Sequence, residues 1–370
     1  MNAGNCAAYE FQLSCRTVFG RGCIDSLGRQ VRSLGTAPPG ELMLVLCRDS
    51  AWCEEPGGRI RASLAQAGDE REPRLQVYDR VIPNPTLGCV REGVALYRRW
   101  GAEGIISLGG GSALDAGKAI ATEAGARLLV SVPTTAGSGS EASPWAVIED
   151  VRSRRKLSLR CRTPDLALLD PELTMSMPER LTLFTGIDAF AHALEAYLSP
   201  RACAVTDALA LSAVRLIGES LPVVLGRPRD LGGRAGMLEA SFLAGAAMMH
   251  CGLGLIHAIA NTMGGYYPRL VHGQVVAHLL GPVARFNRRA CGARLARVAG
   301  SLRGVQDVCE REYARLGLGR LSVREEDIPE LASRSAENLN SRTNPREFTG
   351  EDIRALLRES FLVVHDRERR

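Results

Sequence analysis

The chain has 370 residues, 45% of them hydrophobic and 24% charged, and a formal net charge of +5. This composition excludes a disordered chain, and the length is sufficient for two domains. The charge is modest and no dense basic run occurs, so nucleic acid is not an expected partner. The 11 cysteines follow no C-x-x-C or zinc-ribbon spacing, and the N-terminus shows no signal-peptide pattern. We therefore expect a cytoplasmic protein with reduced thiols.

Short apolar runs alternate with helical patterns over the first half of the chain. We predict buried strands at residues 42–47, 75–81, 104–111 and 128–135, with helices between several of them. Such alternation is typical of a parallel sheet with helices on both faces.

From about residue 173 onward, helical periodicity dominates and no strand is predicted. Residues 241–268 contain no Asp, Glu, Lys or Arg, but they include His250, His257, Asn261 and several glycines. We interpret them as a buried pair of helices and not as a membrane span. The predicted boundary lies near residues 172–180, between an α/β domain (1–175) and an all-helical domain (176–370).

A glycine-rich turn follows the predicted strand at residues 104–111, in ISLGGGSALDAGKAIA, and a helix begins near Ser112 or Ala113. Glycines allow a phosphate to approach the backbone, and the helix N-terminus offers unpaired N–H groups. The turn matches neither G-x-G-x-x-G nor a P-loop, so a plain tight turn is the alternative. A second Thr/Gly/Ser loop, VPTTAGSGSEASPWAVI, follows the next strand, and two such loops at one sheet edge favour phosphate binding.

Asp188 and His192 lie four residues apart in TGIDAFAHALEAYLSP and therefore share one helix face. A lone histidine on an apolar face is usually a core residue, but a buried carboxylate needs compensating charge, and no Lys or Arg is near. A divalent cation would supply that charge. One carboxylate with up to three imidazoles suits Fe(II) or Zn(II).

Several long motifs occur in one order: PNPT, GGGSALDAGKAIA, PTTAGSGSE, ALLDPELTMSMPERLTLFTGIDAFAHALEAY and GLGLIHAIANTMGG. With them, the chain resembles the iron-dependent (group III) alcohol dehydrogenases over nearly its full length. The resemblance implies a Rossmann-like N-terminal dinucleotide-binding domain, a helical C-terminal domain and an active site between them. It also implies Fe(II) or Zn(II), NADPH or NADH, and a homo-oligomer, which we expect to be a dimer.

The resemblance assigns roles residue by residue. It implies that the metal ligands are Asp188, His192, His257 and His272. It implies cofactor contacts by Gly109, Gly110, Gly111, Ser112, Asp115, Thr134, Thr135 and Lys156. Only two of the 46 basic residues are lysines, Lys118 and Lys156, and both fall in family motifs.

Three positions depart from the family pattern. Asn261 stands where the family usually has a histidine near the nicotinamide, so a direct proton relay there is not expected. His250 replaces a small polar residue and either faces the substrate or caps a turn. We count Asn261 and His250 as candidate catalytic residues. At the end of the first strand, Cys47 or Arg48 replaces an Asp that accepts the ribose hydroxyls, and this favours NADP.

We predict hydride transfer between a nicotinamide and a small aldehyde/alcohol pair. The arginine-rich chain allows an anionic aldehyde, and phosphonoacetaldehyde, reduced to 2-hydroxyethylphosphonate, is our named candidate. Maleylacetate reduction is an alternative, although the metal site in that group is typically degraded. A lyase similar to dehydroquinate synthase and a non-enzymatic nucleotide-binding protein are the others.

The substitution Arg48→Asp tests the cofactor preference. It should shift the ratio of kcat/KM values from NADPH toward NADH, because a carboxylate repels the 2′-phosphate and accepts ribose hydroxyls. Steady-state kinetics with both cofactors measures that ratio. An unchanged ratio would mean that Arg48 is a solvated loop residue.

Overall fold

A computed structural model describes residues 8–35, 40–47, 54–66 and 73–364, so the prediction for Arg48 lies outside the described residues. The strands are β1 (Arg16–Phe19), β2 (Glu41–Cys47), β3 (Arg74–Val81), β4 (Gly104–Gly109), β5 (Leu128–Pro133), β6 (Trp145–Asp150), β7 (Arg155–Arg160), β8 (Leu166–Leu169), β9 (Ser322–Arg324) and β10 (Leu362–Val364).

The helices of the first half are α1 (Leu27–Arg32), α2 (Glu54–Gln66), α3 (Leu87–Trp100) and α4 (Gly111–Ala124). Those of the second half are α5 (Glu179–Leu198), α6 (Ala204–Gly226), α7 (Leu231–Cys251), α8 (Leu255–Tyr266), α9 (His272–Arg315), α10 (Ile328–Glu337) and α11 (Gly350–Ser360).

Six strands form one parallel sheet in the order β1-β8-β5-β4-β2-β3. The chain runs from β2 outward to β3, returns to β4, and then continues through β5 in the opposite direction. The strand order therefore reverses beside β4, and ligands bind in open α/β sheets outside the carboxyl ends of strands at such a point. The glycine-rich turn that follows β4 lies there.

Both faces of the sheet are covered, which explains why its central strands are continuous apolar runs. Met43, Val45 and Ile105 pack into the core on one face, and Leu44 and Ile106 pack into the core on the other. Successive residues of a strand point to opposite faces, so adjacent residues contribute to different cores. The predicted α/β fold class is confirmed, and the four predicted strands are present.

Between β5 and β8 the chain forms a two-stranded antiparallel hairpin, β6–β7, that sequence reasoning did not predict. The hairpin packs on the turn after β3, where the Glu149 amide donates a hydrogen bond to the Pro85 carbonyl at 2.7 Å. It brings Lys156 to the carboxyl edge of the sheet.

The second half is mostly helical, with one correction: the three-residue strands β9 and β10 pair in parallel, so this half is not entirely helical. The proposed domain boundary falls where β8 ends at Leu169 and α5 begins at Glu179. Within the described residues, α6 is long and apolar enough to span a membrane. The helices α7 and α8 are so only when taken together, and they are bent by 98° relative to each other. However, α6 packs against α5 and α7, as a core helix does.

Gly117 allows α4 to pack closely on β4. A Cβ atom there would lie 1.7 Å from the Ser107 Oγ and 2.9 Å from its Cβ. Gly117→Ala should therefore lower the free energy of unfolding by about 1–3 kcal/mol, as overpacking does. Gly300, an exposed position in α9 where an added Cβ would meet nothing within 4 Å, is the matched control. Gly300→Ala should be neutral or stabilise by about 0.5–1 kcal/mol. Chemical denaturation followed by circular dichroism measures both, and equal stabilities would contradict the close contact.

Candidate active site

One face of α5 carries three polar side chains into an apolar core. Asp188, His192 and Glu195 follow one another at helical spacing, and all three are enclosed, Glu195 and His192 being only 4% and 6% exposed. Their neighbours Ile187, Ala191 and Leu194 belong to the main helical core, so this polar face is surrounded by hydrocarbon. Charged groups in such a place require compensation.

Two further helices bring histidines to this face. His257 lies in the first turn of α8, and His272 is the first residue of α9. The start of α9 lies directly against α5, because a Cβ on Gly273 would come within 2.3 Å of the Phe184 carbonyl oxygen. A larger residue at 273 would hold His272 away from α5.

The three imidazoles converge on one carboxylate oxygen of Asp188. The Nε2 atoms of His257, His272 and His192 lie 3.3, 3.5 and 4.0 Å from the Asp188 Oδ1. The rings of His192 and His257 are stacked, with centroids 4.3 Å apart. Among the described residues, the ligand atoms of Asp188, His192 and His257 all lie within 4.8 Å of one another.

The local environment sets the charges of these groups. Burial lowers the pKa of His192 to about 4 and that of His272 to about 3, despite the nearby carboxylate. Burial opposes charge on His257 as well, but hydrogen bonds with Asp188 and Glu195 raise its pKa. Burial raises the pKa of the Asp188 carboxyl, yet the surrounding imidazoles lower it well below its usual range. An ionised carboxylate and neutral imidazoles are the forms that bind metals.

A second layer of contacts orients the imidazoles. The His257 Nδ1 donates to the Glu195 Oε2 at 2.7 Å, and the Ile256 amide donates to the other oxygen of that carboxylate at 2.7 Å. The His192 Nδ1 donates to the Gly137 carbonyl at 3.2 Å. Both bonds leave Nε2 facing Asp188, which is the arrangement expected of metal-ligating histidines.

The donor set fits a divalent metal. One carboxylate oxygen and three imidazole nitrogens suit Fe(II) or Zn(II), and the only ion-pair partners of Asp188 in the described residues are histidines. Without a cation, only His257, whose pKa is raised, would offer positive charge to this carboxylate. Three of the predicted ligands, Asp188, His192 and His257, thus form one compact group, and His272 lies 3.5 Å from the Asp188 Oδ1 but outside that group.

The cluster lies in a cavity of about 600 Å³ between the sheet and the helical half. Most of the predicted site residues line it: Gly111, Ser112, Asp115, Thr135, Lys156, Asp188, His192, His250, His257, Asn261 and His272. Gly109, Gly110 and Thr134 are not among its lining residues. Thr134 is only 1% exposed, and its amide donates to the Gly109 carbonyl at 2.9 Å, so this pair joins the ends of β4 and β5.

The cofactor half of the cavity is built on the two loops predicted from the sequence. Helix α4 begins at Gly111 and directs its N-terminus toward the cavity, and Thr135 and Ser138 follow β5 beside it. A Cβ on Gly111 would lie 3.0 Å from the Ser138 Cβ, so the two loops are in close contact. This arrangement of N–H groups and hydroxyls suits a pyrophosphate.

The two lysines have different environments. Lys118 is fully buried, and its ammonium donates to the main-chain carbonyls of Ser140, Ser143 and Trp145. It also lies 3.3 Å from the Asp115 carboxylate, which accepts hydrogen bonds from the Ser140 hydroxyl and the Val147 amide. Lys118 therefore holds the loop after β5 in place and does not line the cavity.

Lys156 does line the cavity, and its Nζ donates to the Asn84 Oδ1 at 2.8 Å. Burial lowers its pKa. Asn84 belongs to the PNPT turn and has the left-handed φ of 57°, which asparagine tolerates. Sequence reasoning noted this turn without giving Asn84 a role.

The two unusual positions both face the cavity. Asn261 lies one turn after His257 on α8. His250, in the last turn of α7, lies 3.2 Å from the Gln12 carbonyl oxygen through Nε2 and stacks on Phe11 with centroids 4.3 Å apart. His250 thus joins the cavity wall to the N-terminal segment.

Glu195 was missed at the sequence level. The signal was present, because Glu195 lies seven residues after Asp188 and therefore on the same helix face. A glutamate near a helix end is usually solvated, so its spacing alone did not distinguish it.

Comparison with known proteins gives concordant results. Residues 14–171 match the family described as iron-containing alcohol dehydrogenase, and residues 182–361 match the C-terminal domain of the same family. The chain is 32% identical to an NAD-dependent methanol dehydrogenase of Bacillus methanolicus over 93% of this chain and 98% of that protein. It is 37% identical to the 1-propanol dehydrogenase PduQ of Salmonella typhimurium over 77% of this chain and 85% of that protein.

Among solved structures, a 1,3-propanediol oxidoreductase superimposes with a TM-score of 0.86 at 29% identity, covering 96% of this chain and 100% of that one. Together, the sheet and the carboxylate–imidazole cluster define a metal- and dinucleotide-dependent oxidoreductase. The chain belongs to the iron-containing alcohol dehydrogenase family. The predicted family and enzyme class are confirmed, and the family implies a metal and NAD(H).

The substitution Glu195→Gln tests the second layer of contacts. It should weaken metal binding by about 10–100-fold, since removing an outer partner of a ligating histidine has that effect. Equilibrium dialysis against Fe(II) or Zn(II), with metal analysis of the protein, measures the affinity without a turnover assay.

Glu219→Gln, on the exposed side of α6, is the control and should bind metal as the unmodified protein does. Equal affinities of the Glu195 variant and the unmodified protein would show that Glu195 does not orient His257.

Proposed function

We propose that this protein uses NAD(P)H to reduce a small aldehyde to its alcohol at the site formed by Asp188, His192, His257 and His272. The observation that carries the proposal is that these four side chains face the same cavity as the glycine turn before α4. A carbonyl placed between this cluster and the glycine turn can be polarised from the side of the cluster and approached by the nicotinamide from the side of the turn.

When bound, the metal supplies Lewis-acid polarisation of the carbonyl, and the nicotinamide supplies the hydride. The chain itself contributes orientation. Glu195 and the Gly137 carbonyl hold His257 and His192 with Nε2 toward the cavity. Lys156 offers a donor on the cofactor side. Asn261 cannot exchange a proton at neutral pH, so it would not supply the proton that the product alcohol needs, and water or the bound nucleotide would supply it instead.

Finer features are also part of the proposal. We propose Fe(II) as the metal, NADPH as the favoured cofactor and phosphonoacetaldehyde as a substrate that is reduced to 2-hydroxyethylphosphonate. A dimer in the cytoplasm remains our expectation. The relatives named above act, by their names, on methanol, 1-propanol and 1,3-propanediol. These names support a small alcohol/aldehyde pair as the substrate and are compatible with an aldehyde that carries a different substituent.

Anaerobic reconstitution tests the function. The protein is stripped of metal, supplied with Fe(II), Zn(II) or neither, and mixed with NADPH or NADH and a panel of aldehydes: propanal, glycolaldehyde, phosphonoacetaldehyde and maleylacetate. We expect loss of the reduced nicotinamide absorbance only with metal present.

Each outcome has a distinct meaning. Metal-dependent oxidation of NAD(P)H supports the dehydrogenase and ranks the substrates. Turnover of maleylacetate alone, independent of metal, would favour the reductase alternative. Tight metal and cofactor binding without net loss of NAD(P)H would contradict the proposal, and a lyase would then be sought.

A further inference from the structure

One end of the cavity carries positive charge, and neither the metal site nor the cofactor half accounts for it. We call it the arginine end; it comprises Arg201, His250, Gly252, Leu253, Arg342 and Thr343. Arg201 follows the end of α5, and Arg342 precedes the end of the short 3-10 helix Leu339–Thr343.

Acidic residues of the cavity lie elsewhere. Asp188 is surrounded by imidazoles, Asp115 pairs with Lys118 at 3.3 Å, and Glu149 lies on the hairpin strand β6. Both arginines are exposed and, within the described ranges, neither guanidinium has a carboxylate within ion-pair distance. The carboxylates that line the cavity are thus Asp115, Glu149 and Asp188; at the arginine end, the charge of Glu10, which does not line the cavity, acts on His250.

The backbone holds both arginines against one turn. The Ser199 hydroxyl donates to the Cys251 carbonyl at 2.7 Å and accepts from the Arg201 amide at 3.2 Å. The Thr343 hydroxyl, next to Arg342, donates to the Leu253 carbonyl. Residues 251–253 are therefore fastened to the segments that carry the two guanidinium groups.

That turn leads directly into the metal cluster. Helix α8 begins at Leu255, two residues after the turn, and carries His257. The Asn344 side-chain oxygen accepts from the Leu255 amide at 3.2 Å, and Glu195 accepts from the Ile256 amide. The main-chain segments that carry the arginines are thereby held at a defined place relative to the metal cluster.

We propose that Arg201 and Arg342 bind an anionic group, a phosphonate or a carboxylate, at the end of the aldehyde that is remote from its carbonyl. The inference rests on the proposed function and names its substrate class. A guanidinium presents a planar set of donors that matches two oxygens of either anion, and such charge-assisted bonds are strong. The substrate class that follows is a short aldehyde that carries this anion, because the arginines and the Asp188 cluster line the same cavity.

The experiment compares Arg201→Gln and Arg342→Gln with the unmodified holoenzyme. Arg297→Gln, an exposed arginine of α9 away from the cavity, is the charge-matched control. The substrates are phosphonoacetaldehyde, succinic semialdehyde and the neutral propanal. Arg201→Gln and Arg342→Gln should each raise KM for the anionic aldehyde that the protein recognises. They should also lower the ratio of its kcat/KM to that of propanal by about tenfold, as expected for the loss of a hydrogen bond to a charged group. The control should keep the original ratio.

Calorimetry with unreactive anions gives a readout that does not depend on turnover. Methylphosphonate and acetate are titrated into the metal-loaded unmodified protein and into each variant. Weaker binding of one anion by both cavity variants, with binding by the control retained, supports the assignment and identifies which anion is recognised. Thermal unfolding confirms that the variants are folded.

The failures are distinguishable. If propanal is reduced but the variants change neither the kcat/KM ratio nor anion binding, the arginine assignment is wrong and the aldehyde reductase stands. If no aldehyde is reduced, the proposed function is wrong, and the titrations still decide whether the two arginines bind an anion.

Discussion

A buried carboxylate governs the organisation of this protein. Asp188 is enclosed by apolar helices, and three imidazoles from α5, α8 and α9 surround its carboxylate. An ion in such a place is tolerated only if other groups compensate for the lost hydration. The helices α8 and α9 must therefore begin at points that bring His257 and His272 to the Asp188 carboxylate. The helical half is therefore arranged around the metal site as much as around its hydrophobic core.

The same constraint connects the two halves of the chain. His192 is oriented by the carbonyl of Gly137, which belongs to the loop after β5, while His257 is oriented by Glu195 within the helical half. The carboxylate–imidazole cluster thus depends on a residue of the loop after β5, the loop we propose for the nucleotide. In that proposal, the cofactor and the metal would be held by neighbouring parts of one hydrogen-bond network.

Sequence patterns predicted what depends on local periodicity. Strands such as β4 are buried on both faces and have continuous apolar sequences, and Asp188 and His192 share a helix face by their spacing alone. The hairpin β6–β7 was missed because only Ala146 and Ile148 of its strands are buried and β7 shows no alternation, and β9 and β10 are too short to show a period. The approach of His257 and His272 to α5 depends on how the helices pack, so these two ligands were predicted only from the family resemblance. No local sequence pattern indicates that Arg201 and Arg342 line the cavity.

Lys118 has a mechanical consequence for the cleft. Its single ammonium joins α4 to three carbonyls of the loop that follows β5, and a planar guanidinium could not reach the same three points from a helix so close to the sheet. Lys118 thereby ties the helix that begins at the glycine-rich turn to the segment after β5, so that these two parts of the cavity wall are held in a fixed relation to each other.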